Sequence, residues 1–385
     1  MSVRRFLAFV LIVACGAPAA SPVAVHRHLD ARQPWLPRNR ARIDAFLDSH
    51  SGGVAVFDWD NTMMRNDIGD ATFFWMLRHD KVLQPPSRDW SVTNRKLTGA
   101  SKARLKACDA LAEPGQPLPT SSNAACADAL VQIYDQGGFD DETTVMMHQP
   151  YAWGAQLEAG HTPDEVRSFG EQAFRENSDA PIGATQTIGT RGDLPAWVRI
   201  YEPMKDLVGA LRANGTDVWA ITASSQWLGE VVAAKVGIDA HHVVGVRAMQ
   251  SDGKLDYRLQ GCGTEPDGAD TVITFDRGKR CWINKEIFHL APSEQLKRAK
   301  VRQAFAAGDS DTDLAMVQDA TTLKLVIDRH RPLLMCNALS SGWLVQPMFI
   351  EPLAPKTDGY PCSTSRDHAG NVVTDEDGKP ILDLR

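Results

Sequence analysis

The sequence predicts an α/β fold: a doubly wound, mostly parallel sheet with a mostly helical segment inserted after its first strand. Three observations predict it. The apolar run Val54-Ala55-Val56-Phe57 is followed at once by the carboxylates Asp58 and Asp60. Strand and helix signals alternate regularly from Pro203 to Ile327. Between these two parts, residues 63–199 carry helix signals and loops without that alternation.

The elements follow in order. Ile43, Phe46 and Leu47 fall at helical spacing, so a short helix over 37–49 leads into the first strand. Val54 to Phe57 is short, apolar and rich in Val and Phe, the composition of a buried strand. Thr162-Pro163-Asp164-Glu165 reads as a capping box with proline at the first helical position. Gln84 to Ser87 and Pro114 to Ser122 read as loops. Met204, Leu207, Val208 and Leu211 mark one face of a helix that Asn214-Gly215 ends. Val218–Ile221 is the next strand, followed by a helix over about 226–236 and a strand at Val243–Val246. Asp252-Gly253 is a hairpin turn, and the region up to Asp276 is expected to form an antiparallel flap. A helix through Ile283 and Ile287 comes next, then strands at Ala304–Ala307 and Leu323–Ile327. Alternation on this scale implies a parallel sheet covered on both faces.

Composition bounds the rest. With 385 residues, 43% hydrophobic and 23% charged, the chain can bury a large core and hold one to three domains. A formal charge of −7 argues against nucleic acid, whose phosphates need a basic face. No internal stretch approaches the roughly 18 apolar residues of a membrane span. Residues 1–20 have the layout of an export leader: Arg4 and Arg5 precede an apolar run from Phe6 to Ala14. Ile12-Val13-Ala14-Cys15 resembles the bacterial lipobox, which would leave Cys15 lipidated and the protein anchored to the membrane surface. Plain cleavage after Ala17-Pro18-Ala19 is the alternative. Either way an exported protein is expected, periplasmic or held on the membrane by its lipid. Setting Cys15 aside, six of the seven cysteines remain, an even number for an oxidising compartment. Sequence does not fix connectivity, but closeness along the chain suggests Cys108 with Cys126, Cys262 with Cys281, and Cys336 with Cys362, with buried free thiols as the alternative. Residues 346–385 read as a C-terminal extension of no evident role.

Asp58 and Asp60 leave the first strand together, at the strand end where open α/β sheets bind ligands. Like charges that close need a cation or a shared proton, and a hard divalent ion with oxygen ligands answers that need. Three later segments match this one. Thr222-Ala223-Ser224 offers a hydroxyl and free backbone N–H groups at a strand-to-helix turn, suited to an anion. Lys279, after Gly278, brings a positive charge before a helix. Gly308-Asp309-Ser310-Asp311-Thr312-Asp313 is a second acidic strand end. Each alone has a bland reading as cap, solvated lysine or turn. All four in this order form a site.

FDWDNT at 57–62, VWAITAS at 218–224, GK at 278–279 and AAGDSDTD at 306–313 resemble the motifs of the haloacid dehalogenase (HAD) superfamily, specifically its phosphatases. The resemblance covers residues 50 to about 330 in organisation. It implies a Rossmann-like catalytic core from 37–62 and 200–345, with residues 63–199 as the helical cap of the phosphoserine phosphatase branch. The phrase DNTMMRNDIGD is also similar to exported phosphorylcholine phosphatases of that branch. By resemblance, Asp58 is the nucleophile and Asp60 the acid and base. Thr222 and Lys279 bind phosphate. Mg²⁺ is held by Asp58, the Asp60 carbonyl and Asp309, with Asp313 behind them.

The implied substrate is a small phosphomonoester, of the phosphoserine or phosphorylcholine kind. Asp67, nine residues after Asp58, stands where phosphoserine phosphatases carry an acidic residue that meets the substrate's amine. Phe73, Phe74, Trp75, Trp90, Tyr151 and Trp153 could wall a quaternary ammonium, although aromatics more often build core. Lys285 is the alternative to Lys279, and Thr62 is expected to fix the loop rather than touch substrate. Two rival functions stay open. A phosphotransferase would use the same residues, whereas a non-catalytic envelope lipoprotein would be expected to lack at least one of them.

Overall fold

The computed structural model describes residues 26–360, 362–364 and scattered residues from 371 to 384; the leader and Cys15 lie outside the described residues. Six parallel strands form the central sheet: β1 (Val54–Phe57), β2 (Asp217–Ser225), β3 (Val243–Val246), β4 (Phe305–Gly308), β5 (Leu323–Asp328) and β6 (Leu344–Pro347). Their spatial order is β6-β5-β4-β1-β2-β3. β1 is therefore central, and its side chains alternate between two cores. Ala55 and Phe57 face one cluster and Val56 the other, as the two-residue period of a doubly covered strand requires. Register sets the site. Phe57 lies opposite Ala220 of β2 and Ala307 of β4, so Asp58, Thr222 and Asp309 reach the same edge of the sheet.

Helices α1 (Pro37–Ser49), α2 (Ile68–Arg78), α3 (Gly99–Asp109), α4 (Ala124–Gln136), α5 (Gln149–Gln156) and α6 (Pro163–Asp179) come before β2. The last five of them, with two short hairpins, make up the insert after β1. It has its own apolar core, which takes up Phe73, Phe74, Trp75, Trp90 and Trp153. The capping box of Thr162 and Glu165 starts α6, with Pro163 in its first turn. Helices α7 (Glu202–Ala213), α8 (Gln226–Ala234), α9 (Arg277–Glu286), α10 (Leu314–Asp319) and α11 (Pro332–Ser341) belong to the sheet region. Several bonds fasten the insert to it. Arg167 of α6 pairs with Glu230 of α8 at 2.7 Å. Backbone bonds also join Gly160 and His161 to Leu255.

The hairpin at Asp252-Gly253 forms between Ala248–Ser251 and Lys254–Leu259, with positive φ at both turn residues as a type I′ turn demands. The expected flap stops there. Residues 260–276 contain no strand. Instead, Ile273 donates its backbone N–H to Met146 O, and Thr274 Oγ1 donates to Thr222 O at 2.5 Å, so this segment runs under the site. α9 ends at Glu286, one residue short of Ile287. β6 carried no signal in the sequence reading: it is a four-residue edge strand ending on Pro347, where proline costs no ladder bond. Among the described residues no helix is long and apolar enough to cross a membrane. All three expected disulfides are present, Cys108–Cys126, Cys262–Cys281 and Cys336–Cys362. The last ties α11 to a short antiparallel pair, Cys362–Thr364 with Leu382–Leu384.

Candidate active site

At the carboxyl edge of the sheet a cavity of about 400 Å³ opens between strand ends and insert, within the size range of small-ligand sites. Asp58, Asp60, Asp309, Ala223 and Ser224 line it from the sheet, and Asp67, Asp70, Phe73, Tyr134 and Tyr151 line it from the insert. Of the six aromatics singled out in the sequence, Phe73 and Tyr151 reach the cavity.

Asp58 is 6% exposed. Its Oδ1 accepts from Lys279 Nζ at 2.5 Å and its Oδ2 from Thr62 Oγ1 at 2.8 Å. The same Thr62 hydroxyl lies 2.8 Å from Asp309 Oδ1. One hydroxyl has one proton, so it cannot satisfy both carboxylates at once. Lys279, fully buried, also donates to Asp313 Oδ1 at 2.6 Å. Asp313 Oδ2 accepts the backbone N–H groups of Asp309 and Ser310. That wrap requires glycine at 308, where a Cβ would sit 2.5 Å from Asp313 Cβ. Gly278 is similarly confined: a Cβ there would lie 1.8 Å from Ile273 O. Three carboxylates thus face two cations, Lys279 and Arg329, which pairs with Asp309 Oδ2 at 2.6 Å. Asp58 is raised to about 6 as the balance of burial, which pushes it up, Lys279, which pulls it down, and Asp309, which pushes it up. Burial opposes the charge on Lys279, but Asp313 and Asp58 outweigh it and hold the ammonium above its ordinary value. Lys285 is elsewhere, on Gly261 O and over the Trp282 ring.

Asp60 has different surroundings. Its Oδ1 accepts from Ile68 N at the start of α2, and its Oδ2 from Thr222 Oγ1 at 3.1 Å and Ser224 Oγ at 2.8 Å. Burial, and then the charge of Asp67, raise it well above the usual carboxylate range. Asp67 caps α2, its Oδ1 accepting from Gly69 N and Asp70 N. Thr222 is fully buried with its hydroxyl on Asp60, so Ser224 is the hydroxyl that faces the cavity beside it.

Asp58, Asp309 and Asp313 offer carboxylate oxygens within 4.8 Å of one another. An all-oxygen, buried, net-acidic set fits a hard divalent cation such as Mg²⁺. Asp313 turns its oxygens to Lys279 and to two backbone N–H groups of its own loop, whereas Asp58 and Asp309 line the cavity and share the single Thr62 proton, so these two would hold the cation and Asp313 would fix Lys279 and the loop.

Two site residues escaped sequence reasoning, Ser224 and Arg329. Their signals were present: a second hydroxyl after Thr222, and the basic cluster Arg329-His330-Arg331 behind β5.

Removing Lys279 would leave Asp58 and Asp313 buried without their shared cation. Lys279→Met is therefore expected to cost about 3–5 kcal/mol, read from chemical denaturation. An unchanged midpoint would contradict this role.

Glu158, in the turn after α5, is 2% exposed and accepts from Ser225 Oγ at 2.7 Å. Burial pushes its carboxyl up to about 8. The folded state then holds a proton that the unfolded chain releases near its ordinary value of 4.5. Stability from this group is complete below about pH 4.5 and is lost as pH rises through about 8. Glu158→Gln should gain under about 1 kcal/mol near pH 5 and about 3–4 kcal/mol near pH 8. Parallel pH profiles of melting temperature for the two proteins would refute this.

No family model and no curated protein matches the chain. Among solved structures it is similar to a conserved protein of unknown function from Anaerococcus prevotii DSM 20548. The two are 20% identical over 82% of this chain and 93% of that one, with a TM-score of 0.60. A protein of unknown function from Bordetella pertussis Tohama I is 18% identical over 77% and 98%, with a TM-score of 0.46. A substrate-bound phosphoserine phosphatase is 14% identical over 74% and 90%, with a TM-score of 0.35. The first likeness spans most of both chains, so sheet and insert together are one shared fold. With Asp58, Asp60 and Thr62 leaving its central strand, that fold is a parallel α/β sheet covered by helices and carrying a mostly helical insert.

Proposed function

We propose that the protein is an exported, Mg²⁺-dependent phosphatase of a small phosphomonoester, working through an aspartyl-phosphate on Asp58. One observation carries this reading. Two carboxylates two residues apart sit in opposite settings, Asp58 against a buried ammonium and Asp60 against hydroxyls and a backbone N–H. Paired acids with divergent environments divide into nucleophile and proton carrier.

Asp58, kept ionised by Lys279, attacks phosphorus as the ester P–O bond breaks, and Asp60 gives its proton to the departing alkoxide. Water then attacks the aspartyl-phosphate, and Asp60 takes the proton back as the P–O bond to Asp58 breaks. Inorganic phosphate leaves and both carboxylates are restored. Thr222 and Ser224 orient Asp60, and Ser224 lines the cavity on the phosphate side. Asp58, Asp309 and the Asp60 carbonyl would hold a divalent cation, which would neutralise phosphoryl charge when bound.

Asp67, Asp70, Tyr134, Phe73 and Tyr151 give the cavity an acidic and aromatic wall, which favours a substrate carrying an ammonium group, phosphoserine-like or phosphorylcholine-like. A Mg²⁺-dependent screen of the purified protein against phosphomonoesters, including both of these, tests the function. Release of phosphate from none of them would reject it. Product analysis with an added acceptor alcohol separates hydrolysis from phosphotransfer. Three disulfides suit an extracytoplasmic location. Fatty-acid labelling that disappears in Cys15→Ser tests the anchor.

A further inference from the structure

Among the described residues, Arg329 is the basic side chain that both pairs with a carboxylate of the proposed metal site and lines the cavity. It follows β5, its side chain is 24% exposed, and it holds Asp309 Oδ2 at 2.6 Å. Asp309 itself is 2% exposed. Its other oxygen, Oδ1, faces the Thr62 hydroxyl, and Thr62 is fully buried and does not line the cavity. Asp309 and Arg329 both line the cavity, so their ion pair stands in its wall. An oxygen paired with a guanidinium is not free for a divalent cation. Lys279 and Thr222 are buried behind the cavity wall, so among the described residues the arginines lining this cavity are Arg329 and Arg331. Arg331 makes no ion pair with Asp309.

We propose that Arg329 couples cation loading to phosphate binding: it neutralises Asp309 until a divalent cation takes that oxygen, and the released guanidinium then binds the phosphoryl group in the same cavity. The inference rests on the phosphatase reading and adds to it a residue that touches substrate. A guanidinium suits both tasks, because its forked N–H donors match a carboxylate and a phosphate equally well. Loading of the cation and binding of the anion then favour each other, as linked equilibria must.

Calorimetric titration of the full-length protein with Mg²⁺, without substrate, tests the competition. Arg329→Gln should bind Mg²⁺ about fivefold or more tighter than wild type. Arg331→Gln removes the same charge from the same cavity without touching Asp309 and should change the affinity by less than about twofold. In Mg²⁺-saturated protein, Arg329→Gln should bind inorganic phosphate about tenfold more weakly. Mg²⁺ binding in Arg329→Gln no tighter than wild type, or tightened equally by Arg331→Gln, overturns the proposal, as does unchanged phosphate affinity. These results leave the phosphatase reading standing if wild type binds Mg²⁺ and releases phosphate. Wild type that binds no Mg²⁺ removes both.

Discussion

Asp58→Asn is expected to lower turnover by at least about 10⁴-fold with little change in fold. The amide has nearly the shape of the carboxylate and can still accept from Lys279, but it has no charge with which to attack phosphorus. Its effect on stability should be small, because removing one of three crowded carboxylates relieves repulsion while leaving Lys279 paired with Asp313. Turnover and melting temperature measured on the same preparation separate the two effects. A well-folded Asp58→Asn protein with near-normal turnover would show that another group attacks.

Asp60→Asn should lower turnover by about 10²–10⁴-fold, and the residual chemistry should differ from that of Asp58→Asn. Attack by Asp58 survives, whereas neither the leaving alkoxide nor the attacking water finds its proton carrier. With a substrate whose leaving group needs no proton, the first step should recover more than the second, so the phosphorylated enzyme should accumulate. The asparagine can keep the bond to Ile68 N, since its amide oxygen accepts as the carboxylate does. Equal losses for all leaving groups, with no accumulation, would assign Asp60 to holding α2 in place instead.

Much of this was legible in the sequence because the local signals are covalent neighbours. A strand that delivers two carboxylates must end in them, so Val54–Phe57 and Asp58-Trp59-Asp60 announce each other. Disulfide partners 18, 19 and 26 residues apart could be paired by proximity. Lys279 was separated from Lys285 only by three-dimensional contact, because both lie on one helix and only Lys279 reaches Asp58. Ser224 and Arg329 were missed for a related reason. Ser224 is a second hydroxyl beside a stronger candidate, and which of the two faces the cavity depends on the path of β2 past Asp60. Arg329 acts across the gap between β5 and β4, a relation that sequence spacing does not encode. Residues 260–276 are apolar near Val272 to Phe275, which mimics a strand, yet Ile273 N bonds to Met146 O of the insert, Asp276 N to Thr312 O, and the Thr274 hydroxyl to Thr222 O at the end of β2.

The central claim is that Asp58 carries the phosphoryl group. Acid quenching during turnover with Mg²⁺, followed by proteolysis and mass spectrometry, tests it most directly. One added phosphoryl group is expected on the peptide spanning Asp58, and none is expected with a chelator present or in Asp58→Asn. Steady phosphate release with that peptide unmodified, or with the label on another residue, would contradict the account.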